Sequence, residues 1–345
     1  MKRLYSVLIC LLTLPLLPLQ AEEAAPSLAP GMVNPGYHDK PEWFKNSFLD
    51  LREDVAEASD GGKRVMLYFY QDGCPYCKKL LETNFALRDI ETKTRAGFDV
   101  IAINIWGDRE VTDMQGRLLT EKQFAADLKV MFTPTLLFLN EAGAVVLRLN
   151  GYYPPHKFMA ALDYVASHAE DKQSFRDYLQ QQAPAVAPGR LHQDQAFLQS
   201  PYRLDQRPGG RPLAVLFEQP DCPPCDELHQ DILNRKESRA QLSKFDVALF
   251  DMWSKMPLTT PDGRATTAAE WARELNVQYA PTLVLFAADG TEAFRTEAYL
   301  RAFHMQSALE YVASGAYKDQ PSFQRYIQSR ADALEAQGVH VDIME

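Results

Sequence analysis

The sequence has little positive charge for its length of 345 residues. Its 36 lysines and arginines are outnumbered by 46 aspartates and glutamates, which gives a formal net charge of −10. Binding to nucleic acid needs a basic surface, so this balance argues against nucleic acid as a partner. Cysteine is also scarce, and five residues are too few for a small fold held together by disulfides. The length instead predicts two domains, each with its own core.

Long apolar runs are absent except at the N-terminus. Lys2 and Arg3 precede an almost wholly apolar run from Leu4 to Leu19, and two glutamates follow Ala21. This layout is typical of a secretory signal peptide. We predict a signal peptide over residues 1–21, with cleavage after Ala21. The alternative is an uncleaved membrane anchor, which the shortness of the run disfavours.

Loss of Cys10 with the signal peptide leaves four cysteines, all of them in Cys-x-x-Cys pairs. The pairs are Cys74/Cys77 and Cys222/Cys225, and their first members are 148 positions apart. A zinc ribbon needs two pairs about 15–20 residues apart, and c-type haem attachment needs a histidine directly after the pair. Neither pattern is present, and we expect no metal site.

The chain contains an internal duplication. The segment ALDYVAS at 161–167 recurs 147 positions later as ALEYVAS at 308–314, and Trp106 recurs as Trp253 at the same offset. Ordered matches at one offset indicate two copies of a single domain. The Pro/Ala-rich stretch between the copies has the composition of a linker. We predict domain 1 over residues 36–180, a linker over 181–208, domain 2 over 209–332 and a C-terminal tail over 333–345.

Each copy predicts the same order of elements. A short apolar strand, Val65–Tyr70 or Leu213–Phe217, runs directly into the cysteine pair, and helical spacing follows. Capping-box patterns begin a later helix at Thr120 and at Thr267. A proline then precedes another strand. The predicted fold class is α/β, with each cysteine pair at a strand-to-helix turn.

The position of each pair at a helix start predicts redox chemistry. Free backbone N–H groups and the helix dipole stabilise a thiolate on the first cysteine, Cys74 or Cys222. This thiolate would attack a substrate disulfide, and the second cysteine would resolve the mixed disulfide. Lysines follow the first pair and carboxylates follow the second, so we predict that Cys74 has the lower thiol pKa. A purely structural disulfide is the alternative, although so short a loop gives little stabilisation.

A Cys-Pro-x-Cys motif after a buried strand, with Thr-Pro or Ala-Pro before a later strand, resembles the thioredoxin superfamily. The resemblance covers both copies. It implies two tandem thioredoxin-like domains, each with a central mixed β-sheet flanked by helices. Polar inserts after the two tryptophans resemble thioredoxin-related proteins of the SoxW type, which are associated with bacterial sulfur oxidation.

The resemblance also implies roles for residues around the cysteines. Pro134 and Pro281 match the cis-proline that faces the cysteine pair in this superfamily, and the backbone of the preceding residue pairs with the substrate chain. The expected substrate contacts are Pro134, Thr133, Pro281, Ala280, Tyr76 and Pro224.

The predicted function is that of a periplasmic thiol–disulfide oxidoreductase acting on protein or small-molecule disulfides. No large helical insert separates Trp106 from Pro134, unlike in dedicated disulfide-forming oxidases, so the reductase or isomerase direction is favoured. The resemblance implies a membrane-bound disulfide reductase as electron donor. No cofactor is expected, because the cysteines carry the electrons. Two alternatives stay open: a net thiol oxidase, and a non-catalytic thioredoxin-fold binding module.

The sequence leaves the proton acceptor open. Thioredoxins usually carry a buried acid six residues before the first cysteine, where this chain has Tyr68 and Leu216. Glu218 lies four residues before Cys222, and water is the other candidate. We interpret His229 as a solvent-facing histidine.

Overall fold

The computed structural model describes residue 37 and residues 39–182, 190–207, 210–297, 300–339 and 341. The predicted signal peptide over 1–21 and part of the predicted linker, 183–189, lie outside the described residues. No helix in the described part of the chain is long and apolar enough to cross a membrane.

Domain 1 is built on a four-stranded mixed sheet with the strand order β2-β1-β5-β6. The central strand β1 is parallel to β2 and antiparallel to β5. Because helices cover both faces of the sheet, β1 reads as an unbroken apolar run and does not alternate. The elements in chain order are α1 (Leu51–Asp60), β1 (Arg64–Tyr70), α2 (Pro75–Lys79), α3 (Arg88–Gly97), β2 (Phe98–Asn104), β3 (Glu110–Thr112), β4 (Leu118–Thr120), α4 (Glu121–Asp127), β5 (Thr135–Leu139), β6 (Val145–Asn150), α5 (Pro155–Ala166) and α6 (Phe175–Gln182).

Domain 2 repeats this architecture with the strand order β9-β8-β12-β13. Its central strand β8 is parallel to β9 and antiparallel to β12. The elements are β7 (Tyr202–Arg203), β8 (Leu213–Glu218), α7 (Pro223–Glu227), α8 (Lys236–Leu242), β9 (Asp246–Asp251), β10 (Pro257–Thr259), β11 (Ala265–Thr267), α9 (Ala268–Glu274), β12 (Thr282–Phe286), β13 (Glu292–Thr296), α10 (Ala302–Ala313) and α11 (Phe323–Ala336). The predicted α/β class with two mixed sheets flanked by helices is confirmed.

The predicted capping boxes are present at the starts of α4 and α9. Thr120 accepts a hydrogen bond from the backbone N–H of Gln123, and Thr267 accepts one from that of Glu270. The side chain of each third residue bonds back to the N-cap backbone. Two free amides at each helix start are thereby satisfied.

The segment before domain 2 packs more tightly than its composition indicates. Residues 190–207, which the sequence assigns to the linker over 181–208, include strand β7, which pairs with β10. Phe197 and Leu204 from this segment are buried in the core of domain 2. At the other end, α11 runs to Ala336 and continues across the predicted domain boundary at residue 332. Isolated apolar residues in a polar stretch give no periodic pattern from which to predict such packing.

The two domains contact each other through equivalent positions. The side-chain amide of Asn150, at the end of β6, donates a 2.8 Å hydrogen bond to Glu297, which directly follows β13. The two residues are 147 positions apart, so each is the counterpart of the other in the duplication. A residue that contacts its own counterpart is the signature of pairing about a two-fold axis. The chain therefore folds as an internal dimer of its two copies.

Candidate active sites

The first cysteine pair, which we call site 1, lies where β1 passes into α2. Cys74 is the N-cap of α2, and its Sγ accepts a hydrogen bond from the backbone N–H of Cys77 at 3.0 Å. Pro75 occupies the first turn, where no amide is needed for the helix ladder. Cys74 and Cys77 form a disulfide with a Cα–Cα distance of 5.2 Å.

The second pair, site 2, repeats this geometry between β8 and α7. The Sγ of Cys222 accepts from the backbone N–H of Cys225 at 3.2 Å. These two cysteines also form a disulfide, with a Cα–Cα distance of 5.1 Å. In both sites the first sulfur faces the N–H groups of a helix start, the environment that favours a thiolate once the disulfide is reduced.

Both expected proline bonds are cis, at Thr133–Pro134 and at Ala280–Pro281. In site 1 the hydroxyl of Thr133 lies 3.3 Å from the Sγ of Cys74, and its carbonyl oxygen lies 3.4 Å from the same sulfur. In site 2, Ala280 lines one cavity together with Cys222. The structure thus brings each cysteine pair together with its proline segment, and the substrate contacts remain a prediction.

Site 1 is covered by domain 2. The hydroxyl of Tyr76 accepts a 2.9 Å hydrogen bond from the backbone N–H of Arg301. Its ring meets the ring of His304 edge-on, with centroids 5.2 Å apart. Burial raises the pKa of Tyr76 to about 12 and lowers that of His304 to about 4. The cavity beside Cys74 holds only about 30 Å³ and is walled on its far side by β13, α10 and α11.

Site 2 opens into a cleft between the domains. Cys222 lines a cavity of about 610 Å³, a size typical of pockets for small ligands. Domain 2 supplies Trp253, Gln278 and Tyr279 to the walls, and domain 1 supplies the first turns of α5, including Lys157. The predicted contact Pro224 also lines this cleft. The two chemically similar sites therefore differ in access.

The sequence comparisons agree with this architecture. A family model described as a thioredoxin-like domain matches residues 51–166 and 205–313. The chain belongs to this family.

Individual relatives match shorter stretches. The thiol:disulfide interchange protein DsbD of Vibrio cholerae is 30% identical over 112 residues, which cover 32% of this chain and 17% of that protein. The chain therefore matches about a sixth of this relative's length. A thioredoxin-fold protein from Helicobacter pylori is 19% identical, with a TM-score of 0.33, and the match covers 36% of this chain and 86% of that one. A thioredoxin from Thermus thermophilus is 28% identical, with a TM-score of 0.28 and coverages of 34% and 83%.

Trp106 and its counterpart Trp253 lie beside the two sites. Trp106 donates its indole N–H to Gln71 at 2.7 Å, and Trp253 donates to the equivalent Gln219 at 3.2 Å. Trp253 lines the cleft of site 2, and Trp106 is 38% exposed.

A buried acid is present in domain 2, although not at the position usual for thioredoxins. Glu218 is fully buried at the end of β8, and one of its oxygens lies 2.8 Å from Nε2 of His229. The His229 side chain is only 10% exposed, so the interpretation of a solvent-facing histidine was wrong. Its ring stacks on that of His192, which pairs with Asp226 at 2.7 Å. Sequence spacing does not predict this cluster of Glu218, His229, His192 and Asp226, because His192 comes from the predicted linker.

The charges that distinguish the two motifs are partly engaged elsewhere. In domain 1, Lys79 lies over the ring of Tyr152 with its Nζ 4.6 Å from the centroid, and burial lowers its pKa. In domain 2, the carboxylate of Asp226 is paired with His192. The predicted order of thiol pKa values, with Cys74 below Cys222, stays a prediction.

Proposed function

We propose that the protein is a thiol–disulfide oxidoreductase that reduces or isomerises disulfides in the periplasm. The observation that carries the proposal is the first sulfur of each pair. It sits at a helix start, accepts a backbone N–H, and is positioned beside a cis-proline segment. These features provide an ionisable thiol, a resolving thiol one turn away and an edge on which a substrate chain can lie.

The reaction uses the reduced form of each pair. The Cys222 thiolate attacks one sulfur of a substrate disulfide, which breaks the substrate S–S bond and releases a first thiolate that takes a proton from water. The Cys225 thiolate then attacks the sulfur of Cys222 and releases the second substrate thiolate. The substrate gains two electrons, and the protein keeps the Cys222–Cys225 disulfide. A dithiol donor must reduce that disulfide before the next turnover.

The two sites differ in how accessible they are to a substrate. Site 2 faces a cleft large enough for a substrate, whereas site 1 faces a cavity of about 30 Å³ beneath domain 2. We assign substrate entry to site 2. Reaction at site 1 requires domain 2 to move away from Tyr76.

The location and the donor are parts of the same proposal. The predicted signal peptide over 1–21 supports export, and the match to part of a thiol:disulfide interchange protein supports thiol–disulfide exchange. The proposed electron donor is a membrane-bound disulfide reductase. In an oxidising compartment a reductase needs such a donor, because the surroundings keep exposed dithiols oxidised.

Insulin reduction with dithiothreitol tests this function. Wild type is compared with a Cys222→Ser/Cys225→Ser variant, a Cys74→Ser/Cys77→Ser variant and the variant that lacks all four thiols. We expect the site 2 variant to lose most of the turnover and the site 1 variant to keep most of it. Absence of turnover in every protein, wild type included, would favour the binding module. Faster oxidation of a reduced substrate than reduction of an oxidised one would favour the oxidase.

A further inference from the structure

Two cations of domain 1 lie at or behind the walls of the site 2 cleft, and neither has a carboxylate partner among the described residues. Lys157, in the first turn of α5, lies with its Nζ 3.7 Å from the ring centroid of Tyr279. Among the described residues no carboxylate lies within ion-pair distance of this ammonium group. Burial alone lowers its pKa, to about 8. A half-buried cation held only by an aromatic face leaves room for an anionic ligand.

A second cation, Arg176, lies behind Trp253, one of the residues that line the cleft. Arg176 is 3% exposed and packs on Trp253, with 4.2 Å between its guanidinium carbon and the ring centroid. Its guanidinium donates to the carbonyl oxygens of Met252 and Ala269, and it has no carboxylate partner in the described part of the chain. Asp221 is the acidic residue among the cleft-lining side chains, and it lies on the exposed rim. Lys157 therefore lines the cleft as a cation, and Arg176 lies behind Trp253 without lining it.

Site 1 has no lysine at the position equivalent to Lys157, and yet its cysteine pair is covered by the other domain. The position equivalent to Lys157, 147 residues later, is His304, which packs against Tyr76 and has a buried Nδ1 with no hydrogen-bond partner among the described residues. A neutral ring closes site 1, whereas site 2 has a lysine that lines an open cavity beside Cys222.

From this juxtaposition we propose that site 2 selects disulfides bearing a carboxylate close to the S–S bond, with Lys157 of domain 1 binding that carboxylate while Cys222 of domain 2 attacks the sulfur. Tyr279 directly precedes Ala280, the expected pairing edge for a substrate chain, and it lines the same cavity as Cys222 and Lys157. The inference rests on the proposed function, because the disulfide exchange is the one already described.

The test measures how fast the reduced protein is oxidised by small disulfides of different charge. The background is Cys74→Ser/Cys77→Ser, so that only site 2 reacts. The reaction is followed by the change in tryptophan fluorescence, or by alkylating the remaining thiols after acid quenching. The probes are 3,3′-dithiodipropionate (anionic), 2-hydroxyethyl disulfide (neutral) and cystamine (cationic). The variants are Lys157→Gln, Lys157→Glu and the matched control Lys172→Gln, which changes an exposed lysine of domain 1 outside the cleft.

We expect wild type to react fastest with the anionic disulfide. A charge-assisted contact predicts that Lys157→Gln slows this reaction about tenfold or more and leaves the neutral disulfide unchanged. Lys157→Glu should invert the preference towards cystamine, and Lys172→Gln should behave as wild type. An equal loss for all three disulfides would overturn the proposal, since Lys157 would then act on the Cys222 thiolate and not on the substrate charge. Failure of every disulfide to oxidise the protein would instead refute the proposed function.

A second pair of probes distinguishes the two sources of such a carboxylate. A disulfide-linked peptide with glutamate beside the cysteine is compared with a peptide that differs only in having glutamine at that position. The same charge dependence in this pair supports a peptide as the substrate, and a dependence seen only with dithiodipropionate supports a small molecule. Equal rates for both peptides together with equal rates for the three small disulfides would refute charge selection altogether.

Discussion

Replacing Tyr76 with phenylalanine should expose Cys74 without removing any apolar packing. The substitution deletes only the hydroxyl that accepts the backbone N–H of Arg301 and keeps the edge contact with His304. One such hydrogen bond contributes about 1 kcal/mol to the closed arrangement. If Cys74 reacts only when domain 2 has moved away, its reaction rate follows the open population, which should rise about fivefold. Tyr76→Ala also removes the ring, and we expect at least about thirtyfold.

The assay is alkylation of Cys74 by iodoacetamide in a variant with serine at the other four cysteines, followed by intact mass. The matched control leaves Cys222 as the single thiol, and there Tyr76→Phe should change nothing, because Cys222 faces the open cleft. The rate in denaturant gives the limit for an uncovered thiol. Labelling of Cys74 at that limiting rate in the otherwise wild-type background would refute the closure of site 1.

Three further predictions concern buried polar groups. Removing the Glu218 carboxylate deprives the largely buried His229 of the oxygen bound to its Nε2, so Glu218→Ala should lower the free energy of unfolding in urea by about 1–3 kcal/mol, and Glu218→Gln by less. Equal losses for the two variants would contradict the pairing. His304 has a pKa lowered by burial to about 4, so below pH 6.5 the unfolded chain binds a proton that the folded chain does not, and stability falls as pH drops towards 4. His304→Phe should remove that part of the pH dependence in urea titrations at pH 7 and pH 5, and an unchanged difference would count against it. Asn150→Asp replaces the amide that donates to Glu297 across the domain interface with a second carboxylate, so it should speed Cys74 alkylation at low salt and lose this effect at high salt.

The cysteine sites were accessible to sequence reasoning because their signals are local. A buried strand that ends at Cys-Pro-x-Cys, followed by helical spacing, specifies the turn, the N-cap and the amide contact within a dozen residues. The capping boxes at Thr120 and Thr267 were predictable for the same reason, since both partners lie on one helical turn.

The differences in access between the sites depend on pairing across the interface, which the sequence does not display. Tyr76 meets His304 across 228 positions of chain, and Lys157 meets Tyr279 across 122. Tyr76 stands out by its place inside the first Cys-x-x-Cys motif, whereas its partner His304 and the pair Lys157 and Tyr279 do not. The internal repeat does predict one feature of the interface. Two copies of one domain tend to pair about a two-fold axis, and residues at equivalent positions near that axis then contact each other.

The duplication also explains how one fold can carry one closed and one open site. In a symmetric pair, each domain presents the first turn of its last sheet-covering helix, α5 or α10, to the cysteine pair of the other. Tyr76 contacts Arg301 and His304 at the start of α10, whereas its counterpart Pro224 lines an open cleft together with residues of α5. The different residues at positions 76 and 224 give the two sites different access, while the turn that holds each cysteine pair keeps the same geometry. Substituting Pro224 with a larger side chain should therefore close site 2, and trimming Tyr76 should open site 1, while both disulfides still form.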